Sequence, residues 1–204
     1  MFKLYYASTS AYVRKVMVCA HVLGLTDRIE TLESAAHPVH RDARIARFNP
    51  LAKVPALQTP EGQCLYDSRV ICEYLNAVGG GHLIPDNGPA RWTSLTRQAL
   101  GDGLVDAALL ARYETTARPE QKCWEGWIDA QLTKIRAALA EIDRVAPDLS
   151  ATPDDIGAIS IGCALGYLDF RFPQLEWRKN CPVAAAWFDL FNAHAAMSST
   201  RPTA

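Results

Sequence analysis

The sequence predicts a small α/β domain followed by an all-helical domain, and three observations support this. Before residue 80, short β-rich runs alternate with helical patterns. After it, nearly every segment has helical periodicity. Between the two parts, residues 79–89 are rich in Gly, Pro, Asp and Asn, which interrupt regular structure. The expected domains therefore span residues 1–78 and 90–204, joined by a linker at 79–89.

In the first part, the predicted order of elements is β-α-β-α-β-β-α. Strands are expected at residues 2–6 and 28–32, separated by a helix that covers residues 13–23 and stops at Gly24. A weak helix is expected at residues 38–48, before Asn49-Pro50.

Residues 54–58 and 63–66 then form a hairpin around Glu61-Gly62. Ser68 is expected to cap the last helix of this part. The apolar face of that helix consists of Val70, Ile71, Tyr74 and Leu75. One βαβ crossover followed by a hairpin predicts a mixed four-stranded sheet with helices packed on it.

The second part predicts four helices. Residues 90–113 and 119–146 are long amphipathic patterns, and Pro119 suits a first helical turn. Thr152 is expected to cap the third helix, with Pro153 in its first position and Asp155 completing a capping box. The nearly uninterrupted apolar run at residues 156–168 places that helix at the centre of the domain. A last helix is expected at about residues 183–195.

Composition excludes several classes of function. The chain has 204 residues, of which 49% are hydrophobic and 21% charged, and its 21 basic and 22 acidic residues nearly balance. No nucleic-acid partner is expected, because a phosphate backbone requires a basic excess. No apolar run reaches 18 residues and the N-terminus lacks a signal-peptide pattern, so we expect a cytoplasmic protein without a membrane segment.

The cysteines and histidines do not indicate a metal or a dithiol centre. No pair among the six cysteines has C-x-x-C spacing, and the five histidines lack the spacing of metal ligands. The expected state of the cysteines is that of buried free thiols in a reducing compartment. No metal and no cofactor are predicted.

Three short segments of the first part carry candidate chemistry. Ser8, Thr9 and Ser10 stand where the first helix opens, and they serve either as caps or as an anion site with the free N–H groups there. Val54-Pro55 opens a strand, and a cis bond, which we predict, would leave the N–H and C=O of Val54 free for a peptide ligand. Asp67-Ser68 begins another helix, either as a cap or as a clamp for a zwitterion.

Together, in this order and spacing, the segments resemble the glutathione S-transferase family. Residues 5–16 (Tyr-Tyr-Ala-Ser-Thr-Ser-Ala-Tyr-Val-Arg-Lys-Val) are similar to its strand–helix catalytic junction, except that Ala11 stands where Pro is common. Residues 49–57 resemble its cis-proline segment and residues 66–75 its γ-glutamyl-binding turn and helix. In the helical part, residues 153–156 resemble its capping box, and residues 166–173 are similar to those of a bacterial subgroup.

The resemblance implies a thioredoxin-like N-terminal domain, an all-helical C-terminal domain and a homodimer. It implies that reduced glutathione, as co-substrate, pairs with the main chain of Val54 beside Pro55 and binds Asp67 and Ser68. Lys53 is a candidate for the glycyl carboxylate, and His40 and Arg41, on the second helix, are weaker ones. The hydrophobic pocket for an electrophile is expected to include Tyr12, Tyr113 and Phe170.

Members of the family activate the glutathione thiol with Tyr, Ser or Cys near the first helix. Ser10 is the favoured catalytic hydroxyl, because it occupies the position where some classes place Cys, and Thr9 and Ser8 are alternatives. Arg14 and Lys15 lie in the first turn of that helix, where cations oppose the helix dipole. They are interpreted either as a solvated face or as added positive potential near a thiolate.

The predicted function is conjugation of glutathione to a hydrophobic electrophile. One alternative is a glutathione-dependent disulfide reductase or peroxidase. A second alternative, from another class of function, is a non-catalytic protein that binds glutathione or an apolar ligand.

Overall fold

A computed structural model describes residues 1–34 and 36–203. Its first part has the predicted order of elements. Their bounds are β1 (Phe2–Tyr6), α1 (Ala11–Val22), β2 (Ile29–Glu33), α2 (Ala43–Ala46), β3 (Ala56–Gln58), β4 (Cys64–Leu65) and α3 (Ser68–Val78). The sheet order is β2-β1-β3-β4, with β1 parallel to β2 and antiparallel to β3, and β3 antiparallel to β4. The predicted mixed four-stranded sheet is confirmed.

The pairing register brings three chain junctions to the same end of the sheet, where the strands begin or finish. Tyr5, near the end of β1, pairs with Ala56 at the start of β3. Leu65, at the end of β4, pairs with Leu57. The β1–α1 junction, the segment before β3 and the β4–α3 junction therefore lie side by side. These are the three segments in which the sequence places candidate chemistry.

The second part is helical. Its elements are α4 (Gly88–Thr116), α5 (Glu125–Val145), α6 (Ile156–Arg171), α7 (Trp177–Asn180), α8 (Pro182–Phe191) and α9 (Ala195–Ser198). Every residue of α6 from Ile156 to Leu168 is buried, which confirms its central position. None of the helices within residues 1–34 and 36–203 combines the length and the apolar character needed to cross a membrane.

Several predicted helix bounds are wrong, and local hydrogen bonds explain why. The helix expected at residues 38–48 covers only Ala43–Ala46, because the N–H groups of Val39 and His40 donate to the His37 ring. The helix expected from residue 119 begins at Glu125, after the Trp124 N–H has donated to Glu114 on α4. The last predicted helix is interrupted after Phe191, and the short α7 was not predicted.

The predicted caps are also displaced. Asp67, not Ser68, caps α3, and Asp155, not Thr152, caps α6 by accepting from the Ala158 N–H at 3.0 Å. In both cases an aspartate at a predicted helix start supplies the cap, as aspartate readily does. Val70, expected on the apolar face of α3, is 47% exposed.

The two parts share one continuous core. Helix α1 packs on α3 from its own part and on α6 and α9 from the second part. Gly101 of α4 lies so close to α6 that an added Cβ would stand 2.6 Å from the Ser160 backbone carbon. The contacts of α1 with α6 and α9 hold its start against the helical part.

Candidate functional site

The start of α1 presents the Ser10 hydroxyl. Ser10 caps the helix, and its oxygen accepts from the Val13 N–H at 3.3 Å. Its backbone N–H donates to the Ala7 carbonyl at 3.0 Å, which closes the turn between β1 and α1. Because the oxygen only accepts in this contact, the hydroxyl proton remains available to a ligand at the positive end of the helix.

The other predicted hydroxyls and the nearby tyrosines are placed differently. The Ser8 hydroxyl donates to the Thr203 carbonyl at 3.3 Å, and Thr9 is half-buried. Tyr5 packs against Phe48, with ring centroids 5.4 Å apart, in the small cluster that also holds Ile45 of α2. This packing turns the Tyr5 ring towards α2, so a tyrosine-type mechanism through Tyr5 is disfavoured.

The segment before β3 is held open. The Val54–Pro55 peptide bond is cis, as predicted. Asn49, which is buried, donates to the Lys53 carbonyl and accepts from the Leu51 N–H, each at 3.0 Å. No hydrogen bond to the Val54 main chain is present in the described part of the chain. Its N–H and C=O can therefore pair with an extended peptide ligand.

The β4–α3 junction joins an exposed acid to a serine whose side chain is largely buried. Asp67 accepts from the Arg69 N–H at 3.0 Å, and the Tyr66–Asp67 peptide bond is cis. Ser68 is only 3% exposed, and its hydroxyl has no partner within residues 1–34 and 36–203. The remaining acceptor capacity of Asp67, the Ser68 hydroxyl and the N–H groups of α3 suit a ligand that carries both an ammonium and a carboxylate.

The three residues predicted to bind the second carboxylate of the ligand differ in how accessible their side chains are. Lys53 is exposed beside Val54. His40 and Arg41 precede α2 instead of lying on it, which corrects their predicted place. The Arg41 guanidinium donates to the Pro50 carbonyl at 2.8 Å, and the His40 ring stacks on His37. Lys53 therefore has the side chain most accessible to a ligand on the Val54 main chain.

Arg14 and Lys15 are both buried, so their interpretation as a solvated face is wrong. Lys15 is 1% exposed, and its ammonium lies 2.6 Å and 2.9 Å from the two carboxylate oxygens of Asp102 on α4. Arg69, the residue after Ser68, donates to the same carboxylate at 2.8 Å. This ion triad joins α1, α3 and α4 directly behind the β4–α3 junction.

Within residues 1–34 and 36–203, Arg14 bonds to no carboxylate. It donates to the Asn192 side chain and the Met197 carbonyl, each at 2.9 Å. Its close approach to α6 requires Gly166, where an added Cβ would lie 2.1 Å from the guanidinium. Burial lowers the pKa of Arg14. Its bonds hold the α8–α9 region against α1, so we assign Arg14 a structural role.

Tyrosines on α1, α4 and α6 are the next side chains to consider, and two of them belong to the predicted hydrophobic pocket. Tyr12, in the first turn of α1, donates to Asp106 of α4. Burial and this bond to a carboxylate raise the pKa of Tyr12. Tyr167 of α6 is buried, and burial raises its pKa. Tyr113 lies on α4 and Tyr167 on α6, and these two helices pack against each other; sequence reasoning did not single out Tyr167.

Phe170, the third predicted pocket residue, contacts a neighbouring arginine. The guanidinium of Arg171 lies 4.1 Å from the centroid of its ring, which is a cation–π contact. Arg112 lies on α4 and Arg171 ends α6, and these two helices pack against each other. Helical spacing could have indicated Arg112, since it follows the buried Val105 and Ala108 by seven and four residues.

All six cysteines are free, but not all are buried as predicted. Cys19, Cys72, Cys163 and Cys181 are buried, whereas Cys64 and Cys123 are partly exposed. Burial raises the pKa of Cys163 to about 11. The pKa of Cys19 is raised by its bond to the Cys72 thiol and by burial. Neither has the low thiol pKa that a nucleophile requires.

Comparisons with known proteins match both parts of this architecture. Residues 9–78 match the model of the glutathione S-transferase N-terminal domain, and residues 125–190 match that of the C-terminal domain. An uncharacterized GST-like protein of Escherichia coli, YibF, is 30% identical over 203 residues, with 98% of each chain covered. The chain belongs to the glutathione S-transferase family.

Solved structures of other family members agree along the whole chain. A glutathione transferase family member from Pseudomonas fluorescens Pf-5, with bound glutathione, is 47% identical, with a TM-score of 0.97 and complete coverage of both chains. A structure of a Pseudomonas fluorescens family member with bound S-(propanoic acid)-glutathione is 45% identical, with a TM-score of 0.92 and complete coverage of both chains. A glutathione S-transferase from Methylobacillus flagellatus with glutathione bound is 33% identical, with a TM-score of 0.87 and complete coverage of both chains. The predicted thioredoxin-like and all-helical domains are confirmed.

Proposed function

We propose that this protein is a glutathione transferase. It binds reduced glutathione across the three junctions at the end of the sheet, stabilises the thiolate at the start of α1 and adds the sulfur to a hydrophobic electrophile. The observation that carries the proposal is the strand register, which brings the junctions that hold Ser10, Val54 and Ser68 to the same end of the sheet. Relatives of 47% and 33% identity with glutathione bound support it.

In this proposal each junction holds one part of glutathione. The Val54 N–H and C=O pair with the cysteinyl residue as a short strand would. Asp67, Ser68 and the first N–H groups of α3 hold the γ-glutamyl ammonium and carboxylate. Lys53 neutralises the glycyl carboxylate. No metal and no cofactor take part, since glutathione is the co-substrate.

One hydroxyl at a helix start is sufficient to activate the thiol. A thiol with an ordinary pKa of about 8.5 is only about 3% thiolate at neutral pH. Lowering that pKa by two units requires about 2.7 kcal/mol. A hydrogen bond to a charged group supplies about 1.5–3 kcal/mol, and the helix dipole adds about 0.3–1 kcal/mol. The thiolate then attacks the electrophile held against Tyr12, Tyr113 and Phe170.

We also propose that the protein is a cytoplasmic homodimer. Six free cysteines fit a reducing compartment. Val70 on α3 and Trp92 on α4 are 47% and 67% exposed, and the bond from Arg91 to Glu73 at 3.0 Å holds these helices together. A two-fold axis across α3 and α4 would bury both apolar side chains.

The test is a titration of the bound thiol in matched variants. Ser10→Ala should raise the pKa of bound glutathione by roughly one to two units, since about 1.36 kcal/mol corresponds to one unit. Activity at neutral pH should fall about tenfold to a hundredfold and recover in part at high pH. Thiolate absorbance is followed with Ser8→Ala and Thr9→Val beside it, and Ser10→Thr controls for the cap. A shift only in the Ser8 or Thr9 variant would reassign the hydroxyl.

A second arm tests the ligand and the class of reaction. Asp67→Asn keeps the shape of the side chain and removes its charge, so it should weaken glutathione binding in calorimetry. Unchanged affinity would refute the clamp. Turnover of disulfides or peroxides without conjugation would favour a reductase, whereas glutathione binding without any turnover would favour a binding protein.

A further inference from the structure

A cavity of about 290 Å³ lies between the end of β2 and α2. Its walls contain none of the residues assigned above to glutathione or to the electrophile. Pockets for drug-sized ligands span about 300–1,000 Å³, so this cavity has the size for a smaller molecule. The residues that line it are Tyr5, Leu32, Glu33, Arg44, Arg47 and Phe48.

The cavity exists because α2 is too short to cover the whole end of the sheet. A helix of four residues is only about 6 Å long. Its one buried residue, Ile45, packs with Tyr5 of β1. Strand β2 lies at the edge of the sheet, and its last two residues border the cavity instead of being covered by the helix.

The inner wall of the cavity is apolar and aromatic. Leu32 is the register partner of Tyr5 and packs with it on the α2 face of the sheet. The Phe48 ring lies on Tyr5, with ring centroids 5.4 Å apart. Tyr5 is only 7% exposed, and Leu32 and Phe48 are half-buried. A flat aromatic group can pack against these rings.

The outer wall carries one positive charge without a counter-charge. Because Leu32 faces α2, the alternation of side chains along β2 turns Glu33 to the opposite face, so its main chain borders the cavity. Arg44 pairs with Asp42 at 3.0 Å, which compensates its charge. Within residues 1–34 and 36–203, Arg47 forms no ion pair. An anion would therefore find a free guanidinium there.

We propose that this cavity binds a small aromatic carboxylate, at a site separate from the one for glutathione. The aromatic ring lies against Tyr5 and Phe48, and the carboxylate accepts hydrogen bonds from the Arg47 guanidinium. The Tyr5 hydroxyl is a second donor. Burial raises the pKa of Tyr5, so this hydroxyl keeps its proton at pH 7.

The experiment is calorimetry at pH 7 with benzoate, benzamide and acetate. Benzamide keeps the ring and the shape of benzoate without its charge, whereas acetate keeps the charge without the ring. Benzoate should bind about tenfold more tightly than either, since each comparison removes one of the two kinds of contact. Equal affinity for benzoate and benzamide would overturn the carboxylate site.

Matched variants test the two donors. Arg47→Gln should weaken benzoate binding by about tenfold, and binding of benzamide by less than about twofold. Tyr5→Phe keeps the ring and should weaken benzoate binding by about threefold to tenfold. Arg136→Gln, at an exposed arginine of α5, is the control and should have no effect. Unchanged benzoate affinity in Arg47→Gln would refute the assignment.

A competition arm locates the bound benzoate. Saturating S-benzylglutathione fills the proposed glutathione site and its electrophile pocket, so it should leave benzoate affinity unchanged. Nuclear Overhauser effects should join the benzoate ring protons to the Leu32 methyl groups. Displacement of benzoate, or Overhauser effects to Tyr12 and Tyr113 instead, would overturn the separate site. Failure of S-benzylglutathione to bind would count against the proposed function alone, because the Overhauser effects still locate benzoate.

Discussion

The ion triad behind the β4–α3 junction gives a sharp test of what holds the two parts together. Lys15 and Asp102 have side chains only 1% and 5% exposed and lie 2.6 Å apart, whereas the Arg69 side chain is 51% exposed. Asp102→Asn preserves the shape of the residue and removes its charge. The Lys15 ammonium would then be buried without a counter-charge.

The size of the effect follows from the burial. Breaking one side of a buried ion pair costs about 3–5 kcal/mol. Neutralising an ordinary lysine, with a pKa of about 10.4, at pH 7 costs about 4–5 kcal/mol, which limits the loss from above. Arg69 adds little, because it can return to water. We therefore expect Asp102→Asn to lower the free energy of unfolding by about 3–5 kcal/mol.

The assay is urea unfolding at pH 7, followed by circular dichroism and tryptophan fluorescence. Asp189→Asn, at the exposed ion pair with Arg178, is the matched control and should cost no more than about 1 kcal/mol. Lys15→Met combined with Asp102→Leu should recover much of the loss, because apolar residues of similar volume often replace a buried pair without penalty. A loss below about 1 kcal/mol in Asp102→Asn would refute the reasoning, as would a double variant no better than the single one.

Two further predictions concern the packing of the helices and of the subunits. Gly101→Ala would place a Cβ 2.6 Å from the α6 backbone and should cost about 1–3 kcal/mol, whereas Gly103→Ala, with nothing within 4 Å, should stabilise α4 by up to about 1 kcal/mol. Equal effects in thermal unfolding would contradict the close approach. Light scattering at micromolar concentration should give twice the mass of the 22.4 kDa chain, and a monomer mass would refute the homodimer.

The elements and the three junctions were predictable because each depends on local sequence. A buried strand, a hydroxyl or acid at a helix start and a turn at Glu61-Gly62 are signals within a few residues. The sheet then follows from connection rules, and antiparallel pairing brings the segment that holds Val54-Pro55 to the end of β1, from which the chain continues to Ser10.

The predictions that were wrong concern residues whose partners are distant in the sequence. Nothing near Lys15 in the sequence shows that Asp102, 87 residues away, will bury it. A cation in a first helical turn normally opposes the dipole, so solvent exposure was the reasonable interpretation. Likewise, no local pattern shows that Tyr12 donates to Asp106, 94 residues away. Residues that act across the two parts therefore escape local patterns.

The same distant contacts fix the geometry of the site. Tyr12 and Lys15 of α1 bind Asp106 and Asp102, which lie four residues apart on one face of α4. Two bonds between the same two helices prevent α1 from sliding or rotating on α4. The start of α1, where Ser10 caps the helix, is therefore held at a fixed position relative to Tyr113. Tyr113 lies about two helical turns after Asp106 on α4. A sulfur held at Ser10 and an electrophile held against Tyr113 would then keep a fixed separation, set by the backbone of α4 and not by mobile side chains.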